Sequence, residues 1–235
     1  CVMKRKIEQA LCDWSHAIGR KPLVVNGARQ VGKTYSVLAF ARQNFKRVLH
    51  IDFSAQPLYC ALFESDITPA ALLPQIEALS RTTVDPADTL LFFDEVQACP
   101  RALTSLKYFC EQAPEYPVIA AGSLLGVALA RKDYSFPVGK VDLLHLYPLD
   151  FEEFLWAMGE EALVRLIRDC FSRDAPLNLH EHALDWYRKY VLVGGLPEAV
   201  QTYALGQAFP QIRGIQDALT DAYLADMTKY ASPID

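Results

Sequence analysis

The sequence has no apolar run approaching the roughly 20 residues that a membrane-spanning helix needs. Its opening, CVMKRKIEQALCDW, is basic but lacks the continuous apolar segment of a secretory leader. A membrane partner is therefore not expected, and a cytoplasmic location is. Positive charge is not in excess either. The 23 Lys and Arg stand against 28 Asp and Glu, giving a formal net charge of -5, so the chain carries no global electrostatic footprint for nucleic acid. The six cysteines (Cys1, Cys12, Cys60, Cys99, Cys110 and Cys170) form no CxxC pair. That spacing argues against a zinc site or a disulfide framework and for reduced, buried thiols. Internal repeats, low-complexity tracts and long linkers are missing as well. What remains is 235 residues, 51% hydrophobic and 22% charged, enough to bury a sizeable core.

Hydrophobic periodicity divides this chain into two textures. Ile7, Ala10, Leu11, Trp14 and Ile18 recur at helical spacing and stop at Gly19, which predicts an amphipathic helix over 4–19. Strands are then expected at PLVVN (22–26), RVLHIDF (47–53), TLLFFDE (89–95), YPVIAAG (116–122) and VDLLHLY (141–147). Several of these are near-continuous apolar runs, as in parallel strands buried on both faces. Helical patterns separate them at Lys33–Gln43, Pro69–Ser80, Ala102–Ala113 and near Leu124–Ala130. Repeated β-α units with right-handed crossovers predict a three-layer α/β/α domain over residues 1–148. From Leu149 onward only helical patterns occur, which predicts a small all-helical domain over 149–235, punctuated by Gly194, Gly195 and Pro197.

The chemistry concentrates at the ends of the expected strands. GARQVGKT, Gly27 to Thr34, has the spacing G-x-x-x-x-G-K-[ST], after a strand and opening a helix. A loop of that kind (Gly27, Ala28, Arg29, Gln30, Val31, Gly32, Lys33, Thr34, with Tyr35 following) turns backbone N–H groups toward a phosphate. Lys33 reaches the outer phosphates, and the Thr34 hydroxyl is placed to ligate Mg²⁺. The bland alternative is a glycine turn with an exposed lysine. TLLFFDEVQ supplies the second part: four apolar residues, Leu90 to Phe93, carry the chain through the sheet and deliver Asp94 and Glu95 at the carboxyl end, where open α/β sheets put their ligands. Asp94 is expected in the Mg²⁺ shell, and Glu95 is expected to accept the proton of an attacking water. An acidic strand end facing solvent is the competing reading.

One strand lies between the phosphate loop and the acidic strand, and Asp is followed directly by Glu. This order resembles the additional-strand, catalytic-glutamate division of P-loop ATPases, which includes the AAA type. The resemblance implies a five-stranded parallel sheet in the order 5-1-4-3-2, bound ATP, and a sensor role toward the γ-phosphate or the water for Ser123, after VIAAG. A serine that simply caps the next helix is the alternative. GARQVGKT, LLFFDEVQ, AGSLL, FPVGKVDLLHLYPLDFEEFL and YVLVGGLPEAV together resemble, over nearly the whole chain, AAA-family ATP-binding proteins that carry a C-terminal DUF4143 domain. That resemblance implies an AAA core, a helical lid and a further domain that this chain lacks. It also implies ATP hydrolysis coupled to movement of the helical domain. The rival expectation is a nucleotide-loaded switch or scaffold with negligible turnover of its own.

One departure stands out. Members of that family often carry Gly-Arg-Val where this chain has Gly139, Lys140 and Val141, and a lysine cannot make the bidentate fork of an arginine on phosphate. Arg131 and Arg29 are the other candidate cations, and a neighbouring subunit in a homo-oligomer is a further source. Asp52 and Ser54 are candidates to hold or release Glu95, against the plainer reading of strand-end polar residues, and Trp14 is a candidate support for the adenine. The His180-Glu181-His182 triplet puts its two histidines on different faces of a helix, against a metal site. Nothing in the sequence identifies the client as protein or nucleic acid.

Overall fold

Alternation within the buried strands sets the architecture. The computed structural model describes residues 3–123 and 137–230, so the helix expected near 124–130 and the candidate Arg131 lie outside the described residues. The chain divides into two units, Ile7–Leu146, and Cys1–Lys6 together with Tyr147–Asp235.

In the first unit, β1 (Leu23–Gly27), β2 (Arg47–Asp52), β3 (Thr89–Asp94), β4 (Val118–Gly122) and β5 (Asp142–Leu146) form one sheet in the order β2-β3-β4-β1-β5. Every pair is parallel. This is the five-stranded P-loop α/β arrangement expected from the sequence. Period-two alternation sends Leu23, Val25, Leu90, Phe92, Ile119 and Ala121 to one face. There they pack on Leu11 and Trp14 of α1 (Ile7–His16) and on Val37 and Phe40 of α2 (Lys33–Asn44). Val24, Ile51, Leu91, Phe93, Val118 and Ala120 face the other layer, built from the short α3 (Leu58–Ala61), α4 (Pro69–Ser80) and α5 (Pro100–Gln112). β3 is buried along its whole length because it is an interior strand covered on both faces, which is why its sequence reads as an unbroken apolar run. Pro69 and Pro100 each open their helix, where the missing N–H costs nothing.

The second unit is helical: α6 (Phe151–Ala157), α7 (Glu161–Ser172), α8 (His180–Val193), α9 (Pro197–Ala204) and α10 (Phe209–Tyr230). Asp150 caps α6 in a reciprocal box with Glu153: the Glu153 N–H donates to Asp150 Oδ1 (2.9 Å), and the Asp150 N–H donates to Glu153 Oε2 (3.2 Å). The other carboxylate oxygen of Glu153 accepts from Arg5 Nε (3.1 Å) and from the Lys6 N–H (2.7 Å). Arg5 also donates to the Tyr147 carbonyl (2.8 Å), and Lys4 lies over the Trp156 ring. This buried ion pair explains why the residues before α1 belong to the helical unit, whereas the sequence had grouped them with the sheet.

Leu149 and Gly195, from the last two of the segments quoted for the family resemblance, meet inside this unit. The Leu149 N–H donates to the Gly195 carbonyl (2.7 Å), and a Cβ on Gly195 would fall 2.2 Å from the Leu149 carbonyl oxygen. Glycine is required there by close backbone approach. Phe154 is fully buried and contacts the rings of Trp186, Tyr190 and Tyr203, so these aromatics form the unit's core. Among the described residues no helix is long and apolar enough to cross a membrane.

Two outcomes are expected of the helical unit. Glu153→Ala strips the carboxylate from a buried guanidinium and should cost about 3–5 kcal/mol, with Glu153→Gln intermediate; denaturant unfolding followed by the fluorescence of Trp156 and Trp186 measures both. The second concerns acid. A two-point ion pair with Arg168 (2.6 Å on each arm), assisted by Lys6, holds the Glu152 carboxyl down to about 2 from an ordinary 4.5. A depressed folded-state value means that this contribution is complete above pH 4.5 and is lost as pH falls through about 2. Glu152→Gln should therefore flatten the loss of stability over that window in pH-dependent melts. High salt should shrink the difference, since the pair is partly exposed.

Candidate active site

β1 delivers the phosphate-loop sequence at the carboxyl end of the sheet, next to the ends of β4 and β5. Gly27, still in the strand, is needed for space: a Cβ would lie 2.3 Å from the Leu146 carbonyl oxygen and 3.2 Å from the Val31 side chain. Gly32 is needed for conformation, with φ of 91° at the residue that starts α2. Between them Gln30 also takes a left-handed conformation, and Val31 is fully buried, pinning the loop to the core. Lys33 is 6% exposed, and its ammonium donates to the carbonyls of Gly27 (3.0 Å) and Ala28 (2.7 Å), so it lies folded over its own loop. Burial draws its pKa below the lysine range, Glu95 and Asp94 oppose that shift, and Arg29 adds to it. Among the described residues no side chain caps α2, so its first N–H groups are left to a ligand or to water. Tyr35 is half exposed on the first turn of α2.

The acidic pair stands two strands away. Asp94 is 1% exposed, and its parity in β3 is that of Leu90 and Phe92, on the sheet face covered by α2. Its Oδ2 accepts the Thr34 hydroxyl (2.7 Å) and lies 3.1 Å from His50 Nε2, while Oδ1 accepts the Glu95 N–H (3.0 Å). The two residues read as metal ligands are thus in direct contact. A hydroxyl and a carboxylate are hard oxygen donors of the kind Mg²⁺ prefers, so the donor set fits that ion. Glu95 leaves the strand in a left-handed conformation (φ of 52°), and the 3-10 turn Val96–Ala98 follows. That turn brings the Gln97 amide onto the Glu95 carboxylate and to 3.5 Å from Ser123 Oγ. Ser123, 2% exposed, follows β4, the strand between β3 and β1, and so stands between the acidic pair and the phosphate loop.

Three further expectations resolve differently. Asp52 turns its carboxylate to the N–H groups of Ser54 (2.9 Å) and Ala55 (3.0 Å), closing its own turn; Gln97 is the group that touches Glu95. Trp14 is buried against the sheet, with its indole N–H donating to the Lys21 carbonyl, so its ring is core. Lys140 pairs with Glu111 (2.9 Å) and precedes Asp142, which lies opposite Leu23 at the amino end of β1. The loop is at the other end of the same strands, about 16 Å away at about 3.3 Å per residue, so Lys140 does not serve the loop of its own chain.

His50 and Gln97 are the site residues that sequence reading passed over. His50 had a signal: in a parallel sheet it stands opposite Phe92, on which its ring stacks (4.8 Å, 14°), two positions from the acidic end. Gln97 had none, because its direction depends on the left-handed turn at Glu95.

Comparison with known proteins places the chain. The model of an AAA domain family matches residues 19–155, which includes the phosphate loop, the acidic pair and Ser123. A search of curated proteins finds no match. Among solved structures, the Walker-type ATPase PABY2304 of Pyrococcus abyssi superposes with a TM-score of 0.57 at 16% identity, over 97% of this chain and 76% of that one. PCH-2 of C. elegans gives a TM-score of 0.46 at 13% identity, over 91% and 65%. At 16% identity the likeness to the Pyrococcus abyssi ATPase speaks to the fold alone. With the domain match spanning more than half of its length, the chain belongs to the AAA-domain family of P-loop ATPases.

Proposed function

We propose that the protein binds Mg²⁺–ATP on Gly27 to Thr34 and hydrolyses it to ADP and phosphate. The observation that carries this reading is the convergence of Thr34, in the first turn of α2, with Asp94, Glu95 and Ser123 at the ends of β3 and β4, Thr34 and Asp94 being in direct contact. In this reading the loop N–H groups from Ala28 onward and the N-terminus of α2 receive the phosphates. Lys33 exchanges the carbonyls of Gly27 and Ala28 for phosphate oxygens. Thr34 and Asp94 hold Mg²⁺, which supplies charge neutralisation at the phosphates. Glu95 takes the proton of the attacking water, and Ser123 orients the γ-phosphate or that water. Tyr35 borders the nucleotide from the first turn of α2.

The same residues support a second reading, a nucleotide-dependent switch that hydrolyses poorly alone, because Lys140 is held at the opposite end of the sheet. We infer that a neighbouring copy in a homo-oligomer completes the site with a cation. The hydrolytic cycle moves the helical unit, through it a protein or nucleic-acid client, and the setting is cytoplasmic. The LYPLDFEEFL and GGLPEAV segments, which pack together around Leu149 and Gly195, support a place among the DUF4143-bearing AAA proteins.

Two variants separate binding from chemistry. Gly27→Ala drives a methyl into the Leu146 carbonyl and should abolish binding of a fluorescent ATP analogue while the helical unit still melts cooperatively. Glu95→Gln should bind ATP as tightly as the parent and lower steady-state phosphate release about 10²- to 10⁴-fold. Parent turnover that does not depend on Glu95, at any protein concentration, would remove the hydrolytic reading in favour of the switch.

A further inference from the structure

We propose that Gln97 is a positioning residue of this site, whose amide ties Glu95 to Ser123 and so fixes the direction of the base. This rests on the reading of Glu95 as the base that activates water. Three observations carry it.

First, the orientation of the amide is forced. An ionised carboxylate accepts and does not donate, so the Gln97 nitrogen must face Glu95. Its Oε1 is then turned into the protein, buried and, among the described residues, without a hydrogen-bond partner. Orphaning a carbonyl oxygen costs free energy, and a structure retains it where the other end of the amide is engaged.

Second, the backbone beneath Gln97 is rigid. The Ala98 N–H donates to the Glu95 carbonyl (2.9 Å) and the Cys99 N–H to the Val96 carbonyl (3.1 Å), while Val96 and Cys99 are buried in the core cluster that includes Phe53 and Phe93. The amide therefore starts from a fixed point. A glutamate at a left-handed strand end has three free side-chain torsions, and tethering its tip removes most of that freedom before substrate arrives.

Third, the same nitrogen lies 3.5 Å from Ser123 Oγ. Ser123 follows the strand between the acidic pair and the phosphate loop, so one amide sets the spacing between the group that deprotonates water and the group that faces the γ-phosphate. Misplacing a reacting group by about 1 Å costs on the order of 10²-fold in rate.

Gln97→Met keeps the length and volume of the side chain and removes the amide. It should lower kcat for phosphate release about 10- to 100-fold, with the affinity for a fluorescent ATP analogue held within about twofold. Gln97→Ala should behave alike, which guards against a packing fault in one variant. Because Gln97 acts through Glu95, the double variant Glu95→Gln/Gln97→Met should turn over no more slowly than Glu95→Gln alone. Nucleotide affinity that falls in step with kcat, or a double variant whose losses multiply, would show Gln97 to be a structural residue and overturn the proposal. If Glu95→Gln lowers turnover and both Gln97 variants leave it intact, this proposal fails and the hydrolytic reading stands. If Glu95→Gln leaves turnover unchanged, both fail.

Discussion

Parallel pairing of five strands is the constraint from which the site follows. In a parallel sheet every carboxyl end lies on one edge, so the residues that terminate β1, β3 and β4 must meet there whatever their separation in the chain. The order β2-β3-β4-β1-β5 then sets the spacing. β4 separates the acidic strand from the phosphate-loop strand, and that gap is bridged by Thr34, one residue into α2, which reaches back to Asp94 across 60 positions of sequence. The bridge needs Asp94 on the α2 side of the sheet, and strand alternation puts it there. A one-residue slip in β3 would turn that carboxylate to the opposite helical layer and bring Phe93 to the loop.

The electrostatics of the edge are arranged around that bridge. Asp94 is nearly inaccessible to water, and an isolated buried carboxylate is costly; three donors, Thr34, His50 and the Glu95 N–H, surround it instead. Lys33 has the complementary problem. Its ammonium is buried, so desolvation disfavours its charge, and it is held by two loop carbonyls and the nearby negative charge of Asp94 and Glu95. The loop carbonyls thus occupy the lysine in a way that an incoming phosphate can relieve, since a phosphate oxygen offers a stronger charge-assisted bond than a neutral carbonyl.

How much of this was legible in the sequence depends on whether a feature is set by periodicity or by a turn. The parallel strands were legible because Leu90–Phe93 and Val118–Ala121 are apolar without interruption, as interior parallel strands must be, whereas their order came only with the family resemblance. Asp94 was legible for the same reason, as the first polar residue at the end of such a run. At Gly27 the structure gives a cause that the loop sequence cannot show, the close approach of β5, whereas Gly32 needs the backbone angle that glycine supplies. Gln97 was not legible, because a left-handed Glu95 reverses the direction that strand periodicity would give. The capture of Arg5 by Glu153 was hidden by distance, two ordinary surface-type residues 148 positions apart that become a buried pair once α6 is capped. Lys140 was judged by its residue type, when its position before β5 already placed it at the amino edge.

The contact at Gly27 ties the loop to the point where the sheet-bearing unit ends. Leu146 is the last residue of β5 and of that unit, and its carbonyl oxygen packs where a Gly27 side chain would be. Tyr147, the next residue, begins the second unit, and its own carbonyl is held by Arg5, whose chain enters α1 two residues later. A rearrangement of the phosphate loop that displaced Gly27 would press on the Leu146 carbonyl before any other part of β5, because a glycine leaves no side chain to absorb the shift.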